Sequence, residues 1–249
     1  MCLIVVGWRV HPDYPLVVAA NRDEFYARPS AAITRWPDAP HVIGGRDLEA
    51  GGTWLGMTNT GRFAAVTNIR EPGAEKGMLS RGALTRNFLT SEQPASDYAA
   101  MLDNRQYSGF NLLLADREEL VYCTNRDGPP RSLPPGIYGL SNHLLDSPWP
   151  KLVTARRRFA AALPGLPDIS PLFELLADAE IVPDHALPNT GVSLEWERLL
   201  SAIFVRSAEY GTRASTVTWL RHDGIVFICE KTFGPNGQAI QSSVISTGV

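Results

Sequence analysis

The sequence has few cysteines, with only 3 among its 249 residues. Cys2, Cys123 and Cys229 lie far apart and form no C-x-x-C pair, which excludes a disulfide framework and a cysteine zinc site of the usual spacing. The 5 histidines form no H-E-x-x-H pair, so we expect no metal site. A chain of this length can bury roughly 70–75% of its unfolded surface, so its core needs neither a disulfide nor a metal ion for stability.

Long apolar runs and an excess of positive charge are also missing. Without a stretch of about 18 apolar residues, we expect no membrane-spanning helix. The 23 basic and 26 acidic residues give a formal net charge of −3, so we expect no nucleic-acid partner. The apolar start, Cys2–Trp8, lacks the basic residues and the small-residue cleavage motif of a secretory signal, which predicts a cytoplasmic protein.

What the sequence does contain is a series of short apolar runs separated by turn residues. These runs predict strands at Cys2–Trp8, Leu16–Ala20, Thr53–Met57, Arg62–Thr67, Phe110–Ala115, Leu120–Thr124, Ala202–Arg206, Thr216–Arg221 and Ile225–Lys231. Helical spacing and capping residues predict helices at Ser80–Leu89, Ser96–Asp103, Lys151–Leu163 and Ile169–Asp178. No linker divides the chain, so we predict one domain over residues 1–249. Strand runs around a helical middle favour an α+β fold with mostly antiparallel sheets.

Cys2 is the first candidate catalytic residue. If Met1 is removed, Cys2 carries a nucleophilic thiol and a free α-amino group. Such an amine titrates at about 7.7–8.0, close enough to neutrality to act as a general base. The alternative is a small buried apolar residue at the start of a strand, which is common for cysteine. Its position alone leaves both alternatives open.

A polar quartet, Asn21-Arg22-Asp23-Glu24, follows the second predicted strand. If the quartet lies beside the start of the first strand, Asp23 could hold an amine there. Arg22 could bind a carboxylate or lower the pKa of a thiol. The alternative is a salt-bridged turn with no role in function.

Several motifs together resemble the NRDE family, also called the Transport and Golgi organisation protein 2 family. The matching segments are Met1-Cys2, Asn21-Arg22-Asp23-Glu24-Phe25, Gly51-Gly52-Thr53-Trp54-Leu55-Gly56, Thr67-Asn68, Ser80-Arg81-Gly82, Leu140-Ser141-Asn142 and Tyr210-Gly211-Thr212-Arg213. They run in order along the whole chain. The resemblance implies a four-layer αββα sandwich similar to the N-terminal nucleophile (Ntn) hydrolases, especially the choloylglycine hydrolase branch, which begins at a cysteine.

The resemblance to that branch also implies roles for matching residues. Cys2 would be the nucleophile, and Asp23 the carboxylate that contacts the α-amino group. Asn68 and Asn142 would be the oxyanion and substrate-side asparagines, and amide donors suit an oxyanion hole. Arg213 would be the late arginine near the thiol.

The chain departs from that branch at one position, where Ala20 replaces an arginine. Whether Arg22 takes over that role stays open. The residues expected to bind substrate are Asn21, Arg22, Glu24, Trp54 and His143.

The resemblance implies a hydrolase of non-peptide C–N amide bonds in a small or amphipathic substrate. The alternative is a non-enzymatic protein on the same scaffold that binds and carries haem, a lipid or acyl-coenzyme A, because members of the family are linked to haem trafficking and lipid homeostasis. The expected partner is a small molecule or an amphipathic anionic ligand. No cofactor is required, and haem is a candidate ligand rather than a catalyst.

Overall fold

Two antiparallel sheets form the framework of the protein, in a computed structural model that describes residues 2–247. The first sheet contains, in spatial order, β10 (Gly136–Leu140), β1 (Cys2–Trp8), β2 (Leu16–Phe25), β11 (Tyr210–Leu220), β12 (Val226–Phe233) and β13 (Ala239–Ser246). The second contains β3 (Ser30–Trp36), β4 (Ala39–Asp47), β5 (Leu55–Thr58), β6 (Phe63–Asn68), β7 (Phe110–Ala115), β8 (Leu120–Thr124) and β9 (Arg131–Leu133). The helices are α1 (Gly82–Leu89), α2 (Ala95–Ala100), α3 (Pro150–Ala162), α4 (Ser170–Leu176) and α5 (Leu194–Leu199).

Three apolar cores separate four layers. Successive side chains of a strand point to opposite faces of its sheet. Ile4 therefore joins the core between the two sheets, with Leu113 of β7, whereas Leu3 packs against Phe159 of α3 on the outer face of the first sheet. Phe88 of α1 lies in the third core, on the outer face of the second sheet. The αββα sandwich that the resemblance implied is confirmed.

Two predictions about strands are wrong. The strand predicted over Leu16–Ala20 continues to Phe25, so the polar quartet lies inside β2 and not in a turn after it. Residues 202–206 form no strand. Their apolar side chains are buried all the same, because Ile203 packs into the core beneath α3 and α4. The short apolar run thus indicated correctly that these side chains are buried, but it did not indicate that their backbone forms a strand.

One carboxylate bridges the two sheets. Glu230 of β12 is 1% exposed and accepts a hydrogen bond from the backbone N–H of Ile33 in β3, at 2.9 Å. Its second oxygen accepts from the Thr216 hydroxyl at 3.2 Å. Burial raises the pKa of Glu230 to about 7, because two hydrogen bonds only partly replace the lost hydration of the charged form.

Glu230→Gln is expected to stabilise the protein at alkaline pH. The folded-state pKa lies above the usual carboxyl value, so ionised Glu230 costs stability above about pH 7 and this cost disappears as the pH falls towards 4.5. A glutamine can accept from the Ile33 N–H through its Oε1 and donate to the Thr216 hydroxyl through its Nε2, without the charge. Urea unfolding at pH 8 should show a gain of up to about 3 kcal/mol that vanishes near pH 4.5.

The exposed Glu180 provides the matched control, since Glu180→Gln removes a carboxylate without removing a buried charge. It should shift the unfolding free energy by less than about 0.5 kcal/mol at either pH. Equal effects of Glu230→Gln at pH 8 and pH 4.5 would contradict the assigned cost of the buried charge.

Candidate active site

A cavity of about 670 Å³ opens where β1 begins and where β2 and β6 end. The loop between β4 and β5, the segment leading into α1, and parts of α5 and β11 complete its wall. The wall includes these residues that the sequence analysis named: Cys2, Arg22, Asp23, Glu24, Trp54 and Asn68. The structure therefore brings together residues that lie up to 66 positions apart in the sequence.

Cys2 and Arg22 are direct cross-strand neighbours. The register pairs Cys2 with Arg22 and Ile4 with Ala20, so all four side chains share the face of the first sheet that looks towards the second sheet. The Arg22 guanidinium lies over the Trp54 ring at 4.3 Å. The geometry gives Arg22 the place beside the thiol, two pairs closer to the start of β1 than Ala20.

The Cys2 thiol lines the cavity and is partly exposed to it. Burial raises the pKa of the Cys2 thiol; Asp23 raises this pKa further, and Arg22 lowers it. The thiol is therefore mostly protonated at neutral pH, and nucleophilic attack would need a base. The Ser141 hydroxyl donates to the Cys2 carbonyl at 3.1 Å and fixes the start of β1. The expected removal of Met1 concerns a residue outside the described range.

Asp23 lies one residue beyond the Cys2–Arg22 pair, next to the start of β1, where a free Cys2 amine would lie. It is 1% exposed, and its Oδ1 accepts a hydrogen bond from the Thr212 hydroxyl at 2.7 Å. Burial raises the pKa of the Asp23 carboxyl, whereas the positive charge of Lys151 lowers it. An ammonium group at the start of β1 would thus lie beside the Asp23 carboxyl, which is shielded from water.

Lys151 is a buried cation that the sequence analysis did not select. Its ammonium group donates to the Leu200 carbonyl at 2.8 Å, and burial lowers the pKa of Lys151 to about 8. The residue belongs to α3 and lies within electrostatic reach of Asp23 and Cys2. The available signal in the sequence was its position, as a charged residue at the start of the apolar stripe of α3.

Asn68 and Asn142 are in direct contact, but only Asn68 lines the cavity. Asn142 is fully buried, and its Nδ2 donates to the Oδ1 of Asn68 at 2.9 Å and to the Asn68 carbonyl at 3.2 Å. This fixes the amide orientation of Asn68. The Asn68 Nδ2 donates to the Ile69 carbonyl at 3.3 Å, and its second hydrogen has no partner among residues 2–247. Asn68 can therefore donate to a ligand, while Asn142 positions it.

Arg213 occupies a β-bulge instead of the cavity wall. Thr212 pairs with Asp23 and Ala214 pairs with Arg22, which leaves Arg213 as the extra residue. Its guanidinium donates to the carbonyls of Phe25 and Arg28. The structure thus places Arg213 under the turn that follows β2, where it holds that turn rather than approaching Cys2.

Asn21 and His143 also lie away from the cavity wall. Asn21 is 1% exposed, and its amide donates to the Leu176 and Ile203 carbonyls, both at 2.8 Å. This anchors β2 to the end of α4. His143 is exposed and shares a hydrogen bond of 2.7 Å with the Ser147 hydroxyl. Among the described residues that line the cavity there is no histidine.

Two further residues of the cavity wall, Arg81 and Tyr210, were missed as site residues. Tyr210 is 5% exposed and contacts Phe25 and Trp196 edge-on, with ring centroids at 5.0 Å and 5.4 Å. Arg81 precedes α1, and burial lowers the pKa of its guanidinium. Both belong to matched motifs, Ser80-Arg81-Gly82 and Tyr210-Gly211-Thr212-Arg213, which was the available signal.

The close approach of two glycines brings Arg81 to the cavity. A Cβ at Gly52 would overlap the backbone of Gly82, so only glycine lets the β4–β5 loop touch the start of α1. The Thr85 hydroxyl also donates to the Thr53 carbonyl. These contacts hold the first turn of α1 beside Trp54.

Residues 2–247 contain no group of three or more His, Cys, Asp or Glu side chains placed to hold a metal ion. Nor do they include a helix with the length and apolar character needed to cross a membrane.

Comparison with known sequences matches residues 1–235 to the family model described as Transport and Golgi organisation 2. The mouse protein named Transport and Golgi organization 2 homolog is 36% identical over 256 residues, which cover 93% of each chain. The human homolog is also 36% identical, with the same coverage. The Drosophila melanogaster protein is 27% identical over 96% of this chain and 95% of its own.

Comparison with solved structures identifies similar folds at low sequence identity. The N-acylethanolamine-hydrolyzing acid amidase ortholog of Caenorhabditis elegans superposes with a TM-score of 0.53, at 15% identity, over 87% of this chain and 92% of its own. The C2A mutant of the conjugated bile acid hydrolase from Clostridium perfringens gives 0.50, at 11% identity, over 99% and 92%. Both comparisons concern the fold alone.

Proposed function

Because this chain belongs to the Transport and Golgi organisation 2 family and shares the Ntn-hydrolase fold, we propose that it is an amidohydrolase with Cys2 as its nucleophile. One observation carries this proposal: Cys2, Asp23 and Asn68 meet on the wall of a single cavity. The bond cleaved would be a non-peptide C–N amide bond in an amphipathic substrate, since the same wall combines aromatic and charged side chains.

The first half of the reaction would form a thioester. After removal of Met1, the free Cys2 amine takes the thiol proton while Sγ bonds to the carbonyl carbon. The resulting oxyanion accepts a hydrogen bond from the Asn68 amide. As the C–N bond breaks, the ammonium group returns the proton to the leaving nitrogen. Asp23 stabilises the ammonium group in between.

The second half would regenerate the thiol. The Cys2 amine accepts a proton from water, whose oxygen attacks the thioester carbonyl, and Asn68 again stabilises the oxyanion. The C–S bond then breaks, and the thiolate recovers its proton from the ammonium group. One water is consumed, and the products are a carboxylic acid and an amine.

A binding protein is the second candidate function. One observation favours it: burial raises the pKa of Cys2, so the thiol stays mostly unreactive as long as no free amine activates it. Retention of Met1 would block that amine and leave a cavity suited to a lipid or acyl-coenzyme A. A haem held in the cavity would have Cys2, Met78 and Tyr210 as candidate iron ligands among the described lining residues, which include no histidine.

Labelling with an alkyl chloroacetamide, followed by peptide mapping and intact-mass analysis, tests the proposal. We expect Cys2 to react in a chain that lacks Met1, while Cys123 and Cys229, which are 1% and 4% exposed, react far more slowly. Labelling that spares Cys2, or purified protein that fully retains Met1, would contradict the hydrolase. In the second case, a haem titration followed at the Soret band would test the carrier.

A further inference from the structure

The Arg22 guanidinium is buried without a full set of acceptors. The side chain is 6% exposed, and its Nη1 has no hydrogen-bond partner within residues 2–247. The Glu24 carboxylate is 4.0 Å away, and its other oxygen already accepts from the Phe25 N–H at 2.9 Å. A buried donor without an acceptor costs stability. An anionic group of a ligand would therefore be stabilised by a hydrogen bond from this Nη1.

Arg81 provides a second incompletely paired cation on the same wall. Its Nη1 donates to the Gly109 carbonyl at 3.1 Å, and no acidic side chain in the described part of the chain forms an ion pair with it. Arg28 differs, because Asp47 and Glu49 neutralise it at 2.8 Å and 3.2 Å. Arg22 and Arg81 therefore leave positive charge available to a ligand.

Both guanidinium groups are close to the thiol. Arg22 is the cross-strand neighbour of Cys2, and Arg81 lies within electrostatic reach of Cys2. An anion held by them would lie on the same cavity wall as a carbonyl carbon that the thiol attacks. The charge of the ligand should therefore be close to its scissile bond and not at the end of a long spacer.

The more exposed part of the cavity wall contains several apolar side chains, beside charged ones such as Glu49 and Lys76. Phe25, Met78 and Leu79 are 49%, 84% and 43% exposed, and Trp196 lies beside Phe25. A hydrocarbon chain leaving the cavity would cover these side chains and stabilise the complex by the hydrophobic effect. The wall thus suits a ligand with an acyl chain at the mouth and a negative charge at the thiol.

We propose that the substrate is an N-acyl amino acid, an amide in which the amine part bears a carboxylate, and that Arg22 and Arg81 bind this carboxylate. The inference rests on the proposed hydrolase function. The amino acid carboxylate is separated from the amide nitrogen by one carbon, which keeps the negative charge close to the scissile bond. Hydrolysis consumes one water and releases a fatty acid and an amino acid.

Two probes with the same acyl chain test the inference: N-lauroylglycine, which carries a carboxylate, and N-lauroylethanolamine, which carries a neutral hydroxymethyl group in its place. We expect the wild type to hydrolyse N-lauroylglycine with at least about tenfold higher kcat/KM, because charge-assisted hydrogen bonds form only with the carboxylate. Arg81→Gln should lower kcat/KM for N-lauroylglycine by about 10- to 100-fold and remove most of the preference. Arg221→Gln, which removes an exposed arginine paired with Asp223 at the far end of β11, should keep the preference.

Binding to the Cys2→Ala variant, measured by calorimetry, separates the inference from the hydrolase proposal. Tighter binding of N-lauroylglycine without hydrolysis by the wild type would overturn the hydrolase and leave the carboxylate site. Hydrolysis of both probes at equal rates, unaffected by Arg81→Gln in a variant with the wild-type melting temperature, would overturn the inference and leave the hydrolase. Failure of N-lauroylglycine to bind would also overturn the inference.

Discussion

Replacing Cys2 with alanine is expected to abolish amide hydrolysis, with kcat falling by at least about 1,000-fold. The thiol would be the only group that bonds to the substrate carbonyl, and alanine leaves nothing at that position to form the thioester. Steady-state kinetics with N-lauroylglycine would measure the loss. The fold should persist, because the side chain lies on a cavity wall and contributes little to any of the three cores.

Two further variants make the Cys2 result specific. Cys2→Ser keeps the size of the side chain but provides a much weaker nucleophile, so it should lose nearly as much activity as alanine. Cys123→Ala alters a thiol buried in the core between the second sheet and its helices, and should keep kcat within about threefold. Activity of Cys2→Ala within about tenfold of the wild type would rule out the covalent mechanism.

Asn68→Ala is expected to lower kcat by about 100- to 1,000-fold with a much smaller change in KM. The Asn68 amide would donate to the oxyanion, which carries its full charge only in the transition state, so ground-state binding depends on it far less. Because Asn142 fixes the orientation of Asn68 through two hydrogen bonds, Asn142→Ala should cause a smaller loss of kcat together with a lower melting temperature.

Asn59, exposed in the β5–β6 turn of the same sheet, provides the control for Asn68. Asn59→Ala removes an amide remote from the cavity wall and should leave both kinetic constants unchanged. A rise in KM with an unchanged kcat for Asn68→Ala would show that Asn68 binds the ground state. The oxyanion role would then be wrong.

From the sequence, Cys2 next to the polar quartet was one of two open alternatives. Two consecutive apolar runs separated by turn residues are typical of a hairpin, and in the structure the register of β1 and β2 pairs Cys2 with Arg22. The quartet was predicted to follow the strand because buried strands rarely contain four consecutive polar residues. In the structure Asn21 satisfies backbone carbonyls beneath β2, while Arg22 faces the cavity, so strand alternation continues through the quartet.

Other parts of the fold depend on contacts that no local pattern encodes. Gly44 and Gly45 form a dipeptide that is typical of turns, yet both lie within β4. A side chain at Gly45 would collide with the Trp54 ring, so the glycine is needed for the approach of a residue nine positions later. Arg81 reaches the cavity through the similar contact between Gly52 and Gly82. Both contacts are visible only in three dimensions.

The most direct measurement is the mass of the enzyme after rapid acid quenching of its reaction with N-lauroylglycine, followed by peptide mapping. The proposed mechanism predicts a lauroyl thioester, removable by hydroxylamine, on Cys2 of a chain that begins at this residue. Hydrolysis that proceeds with no acyl group on Cys2, or an acylated chain that still carries Met1, would contradict it.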